Sequence, residues 1–230
     1  MLALLLAVVP SVLVAAVLAS RHPRDVRRLA AALALGGLVG LLVIEALPLV
    51  RQAGGREGDA WWLVAVFTTF GQAALPEETA RLLALLVVCL PGRATRGAWV
   101  RAGAATGLGY AAFENSLVAV QHPDDLQLMA IRAATSLPAH AIFGLVMGGL
   151  ACRGGPRAWL GAWLAALVLH VAYDAPLFLV ARDGRLDSTT ATAVAVFAVT
   201  LVGGWLGARA LARQAAAADA GSREPPAAAR

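Results

Sequence analysis

Six side chains capable of acid–base chemistry or metal binding stand in stretches that are otherwise apolar enough to cross a membrane. They are Glu77, Glu78, Glu114, His140, His170 and Asp174. A charged side chain at the centre of a bilayer costs about 2.5–3.5 kcal/mol on insertion scales, so such residues are seldom retained without a function. Their occurrence in successive segments predicts a water-accessible polar site inside a helical bundle.

The glutamate pair is followed by an arginine at helical spacing. Arg81 lies at i+4 from Glu77 and at i+3 from Glu78, so it can reach either carboxylate. Adjacent side chains diverge by about 100° on a helix, so the two glutamates cannot face one target equally. We expect one carboxylate to pair with Arg81 while the other exchanges protons as a general base. The i+4 spacing favours Glu77 as the paired residue and Glu78 as the base.

The histidines come later in the chain, and one has an acidic neighbour. His170 and Asp174 are one turn apart on the same helix face. A carboxylate in that position can orient the imidazole or share a metal ion with it. Glu114 is followed by Asn115, and neither polar group is needed for packing. At 1.5 Å rise per residue, these positions and His140 fall at similar depths in their segments, which predicts one shared layer.

The composition indicates what positions these side chains. Of the 230 residues, 60% are hydrophobic and 14% are charged, whereas soluble domains have about 45–50% apolar and about 25% charged residues. The chain is therefore predicted to be an all-α, polytopic bundle in a lipid bilayer. The net charge of +5 follows from topology and requires no nucleic-acid partner.

Seven apolar stretches are long enough to consider as spans. They cover about 2–19, 29–50, 60–90, 98–120, 126–151, 157–181 and 189–208. The connections after the first, third, fifth and seventh stretches are rich in arginine, and the others are balanced or acidic. The positive-inside rule then predicts about seven spans, with the N-terminus outside and the C-terminus in the cytoplasm.

The third stretch must cross once to keep that alternation, although 31 residues of helix would be roughly 46 Å long. Pro76 is predicted to break it, which places the glutamate pair in the first turn of a second half-helix. The transmembrane domain is predicted to span residues 1–213. The Ala- and Pro-rich tail, residues 214–230, is predicted to be disordered in the cytoplasm.

The order of these motifs resembles that of the PrsW family of intramembrane proteases, and more distantly the CAAX-prenyl-protease and bacteriocin-processing superfamily. The matching features over about residues 60–181 are Glu77-Glu78-x-x-Arg81, Phe113-Glu114-Asn115, His140 and His170-x-x-x-Asp174. The family usually has lysine where this chain has Arg81, which keeps the charge and changes the donor geometry.

The resemblance implies an intramembrane endopeptidase of a bacterial cell membrane. Its catalytic residues would be the six side chains above, supported by Arg81 and Asn115. One glutamate would activate water, and His140 and His170 would either orient that water or bind a divalent ion. Zinc would be the cofactor in the second case, with a carboxylate from Glu78, Glu114 or Asp174 as a further ligand. Both mechanisms stay open at this point.

The resemblance also points to single-span membrane proteins, such as anti-sigma factors, as substrates. Two other functions fit buried acidic and imidazole side chains. A proton-coupled transporter uses similar relays, but many transporters are built from related halves, and the seven stretches show no such repeat. A non-catalytic membrane scaffold would not need the whole ordered set of polar residues.

Overall fold

The computed structural model describes residues 1–50, 61–91, 94–183 and 188–221, and across these ranges the chain is helical without strands. The predicted all-α fold class is therefore confirmed. The elements are α1 (Leu2–Arg21), a 3₁₀ turn (Pro23–Asp25), α2 (Val26–Val50), α3 (Trp61–Thr68), a π-helical segment (Thr69–Ala74), α4 (Leu75–Cys89), α5 (Arg96–Gln121), α6 (Leu126–Ala151), α7 (Pro156–Asp183) and α8 (Ser188–Gly221).

Four helical stretches in the described ranges are long and apolar enough to cross a membrane: Leu2–Arg21, Pro23–Val43, Leu126–Ala151 and Pro156–Leu177. α5 is not among them, because it carries Glu114, Asn115 and many glycines. Most of α5 is buried against other helices, so protein rather than lipid surrounds it. A helix in that position does not have to be strongly apolar. Seven crossings remain the sequence prediction.

The third predicted stretch is one continuous helix, in which the backbone hydrogen-bonding pattern changes from α to π and back to α. α3, the π segment and α4 follow each other directly. The backbone N–H of Leu75 donates to the carbonyl of Phe70, five residues earlier, and Pro76 stands at the start of α4. Because proline has no N–H to donate, the turn ahead of it widens. The predicted interruption thus takes the form of a π segment before Pro76. Glu77 and Glu78 lie in the first turn of α4, as expected.

α5 and α6 approach so closely that their backbones touch at glycines. A Cβ added at Gly103 would lie 2.0 Å from the carbonyl oxygen of Gly144, and one at Gly107 would lie 2.0 Å from that of His140. Such contacts exclude any larger side chain at these positions. The glycines on this face of α5 therefore set the distance between the two helices that carry Glu114 and His140.

The arginine-rich connections lie at one end of the bundle. Arg101, in the first turns of α5, binds Asp25 before α2 with an Nη2–Oδ2 distance of 2.5 Å. Asp219 of α8 accepts the backbone N–H groups of Arg96 and Gly97 at 3.0 and 2.9 Å. The start of α2, the start of α5 and the end of α8 therefore meet. This agrees with the alternation that the sequence predicts, and the side of the membrane on which this end lies stays a prediction.

The predicted disordered tail is wrong for residues 214–221, because α8 continues to Gly221. Alanines at 215–218 favour a helix, and Asp219 anchors it by capping the N-terminus of α5. The helical domain therefore extends beyond residue 213. Residues 222–230 of the predicted tail lie outside the described residues.

Candidate functional site

The structure brings all six predicted site residues together at the meeting point of α4, α5, α6 and α7. They form two groups that we name by their helices. The α4–α7 network contains Glu77, Glu78, Arg81, His170 and Asp174. The α5–α6 network contains Glu114, Asn115, Arg132, Ser136 and His140.

Glu78 is the centre of the α4–α7 network. Its Oε1 accepts a hydrogen bond from Arg81 Nη2 and lies 2.7 Å from His170 Nδ1. All three residues are almost fully buried, with Glu78 at 0% and the other two at 1% exposure. Charges removed from water to this extent must be paired. Glu78 therefore holds two helices together as well as neutralising Arg81.

Glu77 is held much less tightly than Glu78. Its Oε2 is 3.7 Å from Arg81 Nη2 and 3.7 Å from His170 Nε2, and among the described residues this buried oxygen has no hydrogen-bond partner. The expectation that Arg81 pairs chiefly with Glu77 is therefore wrong. Helical spacing allows both pairs, and the approach of His170 from α7 selects the oxygen of Glu78. Oε2 of Glu78 also lacks a hydrogen-bond partner in the described part of the chain, but Glu78 is fixed through Oε1 by Arg81 and His170. Glu77 is therefore the less constrained of the two glutamates.

Both ring nitrogens of His170 face carboxylates. Nε2 lies 2.9 Å from Asp174 Oδ2, in agreement with the predicted i, i+4 pair. Nδ1 is closer to Glu78 Oε1, at 2.7 Å, than to Arg81 Nη2, at 3.1 Å. Since an ionised carboxylate can only accept, this arrangement favours a proton on each nitrogen. His170 is then a donor on both sides.

The α5–α6 network binds His140 in a different way. Glu114 forms an ion pair with Arg132, with Oε1 2.9 Å from Nη2, and its Oε2 lies 3.0 Å from His140 Nε2 and 3.4 Å from Ser136 Oγ. Arg132 also donates from Nε to Asn115 Oδ1 at 2.8 Å. The Glu114 and Arg132 side chains are 33% and 23% exposed. This network therefore extends from the buried histidine toward the surface.

His140 presents a free nitrogen inside the protein. Because its Nε2 faces the carboxylate of Glu114, Nε2 is the nitrogen that donates, and in a neutral ring Nδ1 keeps the lone pair. Nδ1 is buried, and in the part of the chain that the structure describes it has no hydrogen-bond partner. An imidazole lone pair in this setting can accept a proton or bind a cation.

Aromatic rings join the two networks. The His140 and His170 rings are 5.4 Å apart between centroids and nearly perpendicular. Tyr110 stands between the networks, with its ring 4.8 Å from Arg81 Cζ and 5.4 Å from the His140 ring. Phe143 stacks on His170 at 5.3 Å. These rings restrict the orientation of both imidazoles and keep bulk water away from Arg81.

Tyr110, Arg132 and Ser136 were not among the site residues predicted from the sequence. A signal for each was present in the spacing. Tyr110 precedes Glu114 by four residues, and Arg132, Ser136 and His140 follow one another at intervals of four. Each set therefore lies along one helix face. Arg132 is part of the site through its contacts with Glu114 and Asn115.

The site suits a divalent cation in charge and in donor chemistry. Three carboxylates, on Glu77, Glu78 and Glu114, pair with the guanidinium groups of Arg81 and Arg132, and Asp174 pairs with His170. The four carboxylates and two arginines leave two negative charges with both histidines neutral, and one with His170 protonated on both nitrogens. The unpartnered His140 Nδ1 and Glu77 Oε2 are a nitrogen and an oxygen of the types that bind zinc. Within the described ranges, no three potential ligands stand together at metal-binding spacing. Binding would therefore require side-chain movement.

Comparison with known proteins gives one match. Residues 24–203 match the model of a family described as PrsW family intramembrane metalloprotease. Searches of curated proteins and of solved structures found no match. The match extends beyond the predicted core of residues 60–181 at both ends, so α2 and the first half of α8 belong to the shared region as well. This chain is a member of the PrsW family of intramembrane metalloproteases.

Proposed function

We propose that this chain is an endopeptidase that hydrolyses peptide bonds of membrane-anchored proteins, with Glu77 as the general base. The observation that carries the proposal is the loose contact of the buried Glu77 Oε2, 3.7 Å from both Arg81 Nη2 and His170 Nε2, whereas Glu78 Oε1 is hydrogen-bonded to Arg81 and lies 2.7 Å from His170 Nδ1. A carboxylate that is not held in a close ion pair can take a proton from water. Glu78 is committed to Arg81 and His170 and acts as a positioning residue.

The reaction follows from these placements. Glu77 removes a proton from water, and the water oxygen forms a bond to the scissile carbonyl carbon. The C–N bond then breaks, and the same proton passes from Glu77 to the leaving amine, so the products are a carboxylic acid, which ionises at neutral pH, and an amine. Negative charge develops on the carbonyl oxygen in between and must be stabilised by fixed donors.

Arg81 is positioned to supply those donors. Its Nε and Nη1 are buried and, across the residues described, without hydrogen-bond partners, although its Nη2 binds Glu78. A buried guanidinium with two free N–H groups is costly unless something accepts from them. A developing oxyanion would fill that role, and the Tyr110 ring keeps the guanidinium in place from the other side.

The family description implies a metal ion, and we propose zinc. The residues that would hold it are His140 through Nδ1, Asp174, and His170 once it has lost the proton on one ring nitrogen, which leaves Glu77 for the water. A bound zinc ion would supply Lewis acidity to the water and to the scissile carbonyl. With or without the ion, Glu77 carries the proton and Arg81 stays close to the developing charge.

The substrate is proposed to be a single-span membrane protein, such as an anti-sigma factor, whose membrane segment enters the bundle. The proposed orientation has the N-terminus outside and the Ala-rich end of α8 in the cytoplasm of a bacterial cell membrane. This is supported by the arginine-rich connections that gather at one end of the bundle.

A reconstituted assay tests the proposal. The purified chain is placed in liposomes with a panel of single-span proteins, including anti-sigma factors, tagged at both ends, in H₂¹⁸O with and without added Zn²⁺. Cleavage should place ¹⁸O in the new carboxyl group. Glu77→Gln should fold and lose at least about 10²-fold in rate, the scale of general-base loss.

Two outcomes would overturn it. If Glu77→Gln is folded and cleaves at the wild-type rate, the assignment of the base is wrong. If the folded wild-type chain cleaves no member of the panel under either condition, the proposed peptidase activity on single-span proteins is wrong. Glu78→Gln serves as the matched variant, and it should lower the folded yield because Arg81 and His170 lose their shared anion.

A further inference from the structure

The α5–α6 network contains a cation that the proposed hydrolysis does not use. Arg132 pairs through Nη2 with Glu114 Oε1 at 2.9 Å and donates through Nε to Asn115 Oδ1 at 2.8 Å. The planar guanidinium therefore has two anchor points on consecutive residues of α5, which fixes its orientation. An arginine needed only for charge balance would not require both.

Glu114 transmits this constraint to His140. While Oε1 faces Arg132, the other oxygen, Oε2, lies 3.0 Å from His140 Nε2. Arg132 supplies the positive charge that an ionised carboxylate needs in a low-dielectric environment. An ionised carboxylate accepts hydrogen bonds and cannot donate, so Nε2 must carry the proton.

We propose that Arg132 is a positioning residue for His140. Through Glu114 it holds the imidazole in the Nε2–H tautomer and so leaves the lone pair of Nδ1 available inside the bundle. The effect on proteolysis rests on the proposed function, whereas the tautomer can be measured without any substrate. The lone pair would accept a proton in a metal-free mechanism and bind the ion in a zinc-dependent one. The role of Arg132 is therefore needed in both mechanisms.

Glu114→Gln offers the most specific test, because the glutamine amide has one accepting and one donating end. Arg132 can only donate, so the amide oxygen should turn toward it. The amide NH₂ would then face His140 Nε2, which must become the acceptor. The proton should move to Nδ1, and the tautomer should invert.

Nitrogen-15 NMR of histidine-labelled protein in detergent can read this directly, because bare and protonated ring nitrogens resonate at well-separated positions. The chain has four histidines, and His22→Gln, His122→Gln and His140→Gln variants assign the signals. Spectra recorded with and without Zn²⁺ should both show Nδ1 of His140 as the unprotonated nitrogen. Glu114→Gln should exchange the two nitrogens, and Arg132→Gln should give a mixture.

Arg101→Gln is the matched control. Arg101 is 21% exposed against 23% for Arg132, and it also binds a carboxylate, that of Asp25. Its loss should leave the His140 signals and the catalytic rate unchanged. In the proteolysis assay, Arg132→Gln should lower kcat about 10–100-fold, the scale for residues that orient an active group, with little change in KM. Arg132→Lys keeps the charge and should recover part of the loss.

The results separate the two proposals. A protonated Nδ1 in the wild-type protein would overturn the inference, and so would an unchanged tautomer in Arg132→Gln or Glu114→Gln. If Arg132→Gln does not fold, the Arg132→Lys and Glu114→Gln spectra decide. Should the tautomers be as expected while no substrate is cleaved, the proposed function fails and the role of Arg132 stands.

Discussion

The two histidines of this protein are each held by a carboxylate, and they are left in opposite states. In the α4–α7 network, His170 faces Glu78 on one side and Asp174 on the other, at 2.7 and 2.9 Å. In the α5–α6 network, His140 faces one carboxylate through Nε2, and its Nδ1 has no partner among the described residues. The first ring donates from both nitrogens, and the second keeps a lone pair.

The α4–α7 network, whose histidine is bound on both sides, is also the more deeply buried of the two. Glu78 and Arg81 are 0% and 1% exposed, and removing either one would strand a charge. Glu114 and Arg132 are 33% and 23% exposed at their side chains, so the loss of one partner would leave a charge that is less deeply buried. In the proposed mechanism, the α4–α7 network therefore both stabilises the helix packing and takes part in the reaction, whereas the α5–α6 network mainly orients His140.

The strongest way to break this comparison is to neutralise one glutamate in each network. Glu77→Gln removes the proposed base and should reduce proteolysis by about 10²–10⁴-fold. Glu114→Gln disturbs the orientation of His140 and should cost about 10–100-fold. Initial rates on one tagged substrate, normalised to folded protein, measure both. A larger loss for Glu114→Gln would reverse the roles of the two networks.

Stability should separate the two arginines. Arg81→Gln leaves Glu78 buried without its cation and should lower the free energy of unfolding by about 3–5 kcal/mol. Arg132→Gln removes a partly exposed pair and should cost about 1 kcal/mol or less. Unfolding of each purified variant in detergent, compared with the wild type, gives the difference. Equal losses would show that exposure does not distinguish these networks.

The contact between α5 and α6 can be tested without touching a polar group. Gly107→Ala places a methyl group where the His140 carbonyl oxygen lies, 2.0 Å from the new Cβ. Forcing the helices apart should cost about 1–3 kcal/mol. Gly161→Ala is the control on α7, since its new Cβ would have no atom within 4 Å among the described residues. Equal unfolding curves for the two variants would contradict this close contact.

The smallest effect is expected at Ser136. Its hydroxyl is 3.4 Å from Glu114 Oε2, at the long end of the range for a hydrogen bond. Ser136→Ala should therefore change the unfolding free energy by about 0.5 kcal/mol at most and should leave the His140 tautomer as it is. A shifted tautomer in the ¹⁵N spectrum would show that the serine, and not Arg132 alone, orients Glu114.

Several features followed from the sequence because they depend on residue type and local spacing. The hydrophobic content required a helical membrane bundle, and the cost of burying charge identified the six polar residues that meet in one region. The i, i+4 spacing placed Asp174 beside His170. The arginine content alternates from one connection to the next, and the structure places the arginine-rich connections at one end of the bundle.

Local spacing could not predict a contact that depends on a residue far away in the chain. Arg81 can reach two glutamates from its own helix, and His170, 92 residues from Glu78 in the chain, decides that Glu78 is the one bound. The helical end of α8 depends on Asp219, which caps α5 more than a hundred residues earlier. No pattern within residues 214–221 indicates that contact.

The sequence by itself determined which chemical groups this membrane protein carries and at which positions along its helices they stand, since hydropathy and helical rise are local properties. Only the tertiary structure decided which glutamate forms the close ion pair and which imidazole nitrogen keeps its lone pair. Those outcomes depend on distances of about 3 Å between side chains on different helices. Helix packing sets such distances, and here the glycines between α5 and α6 bring the backbones close enough to achieve them.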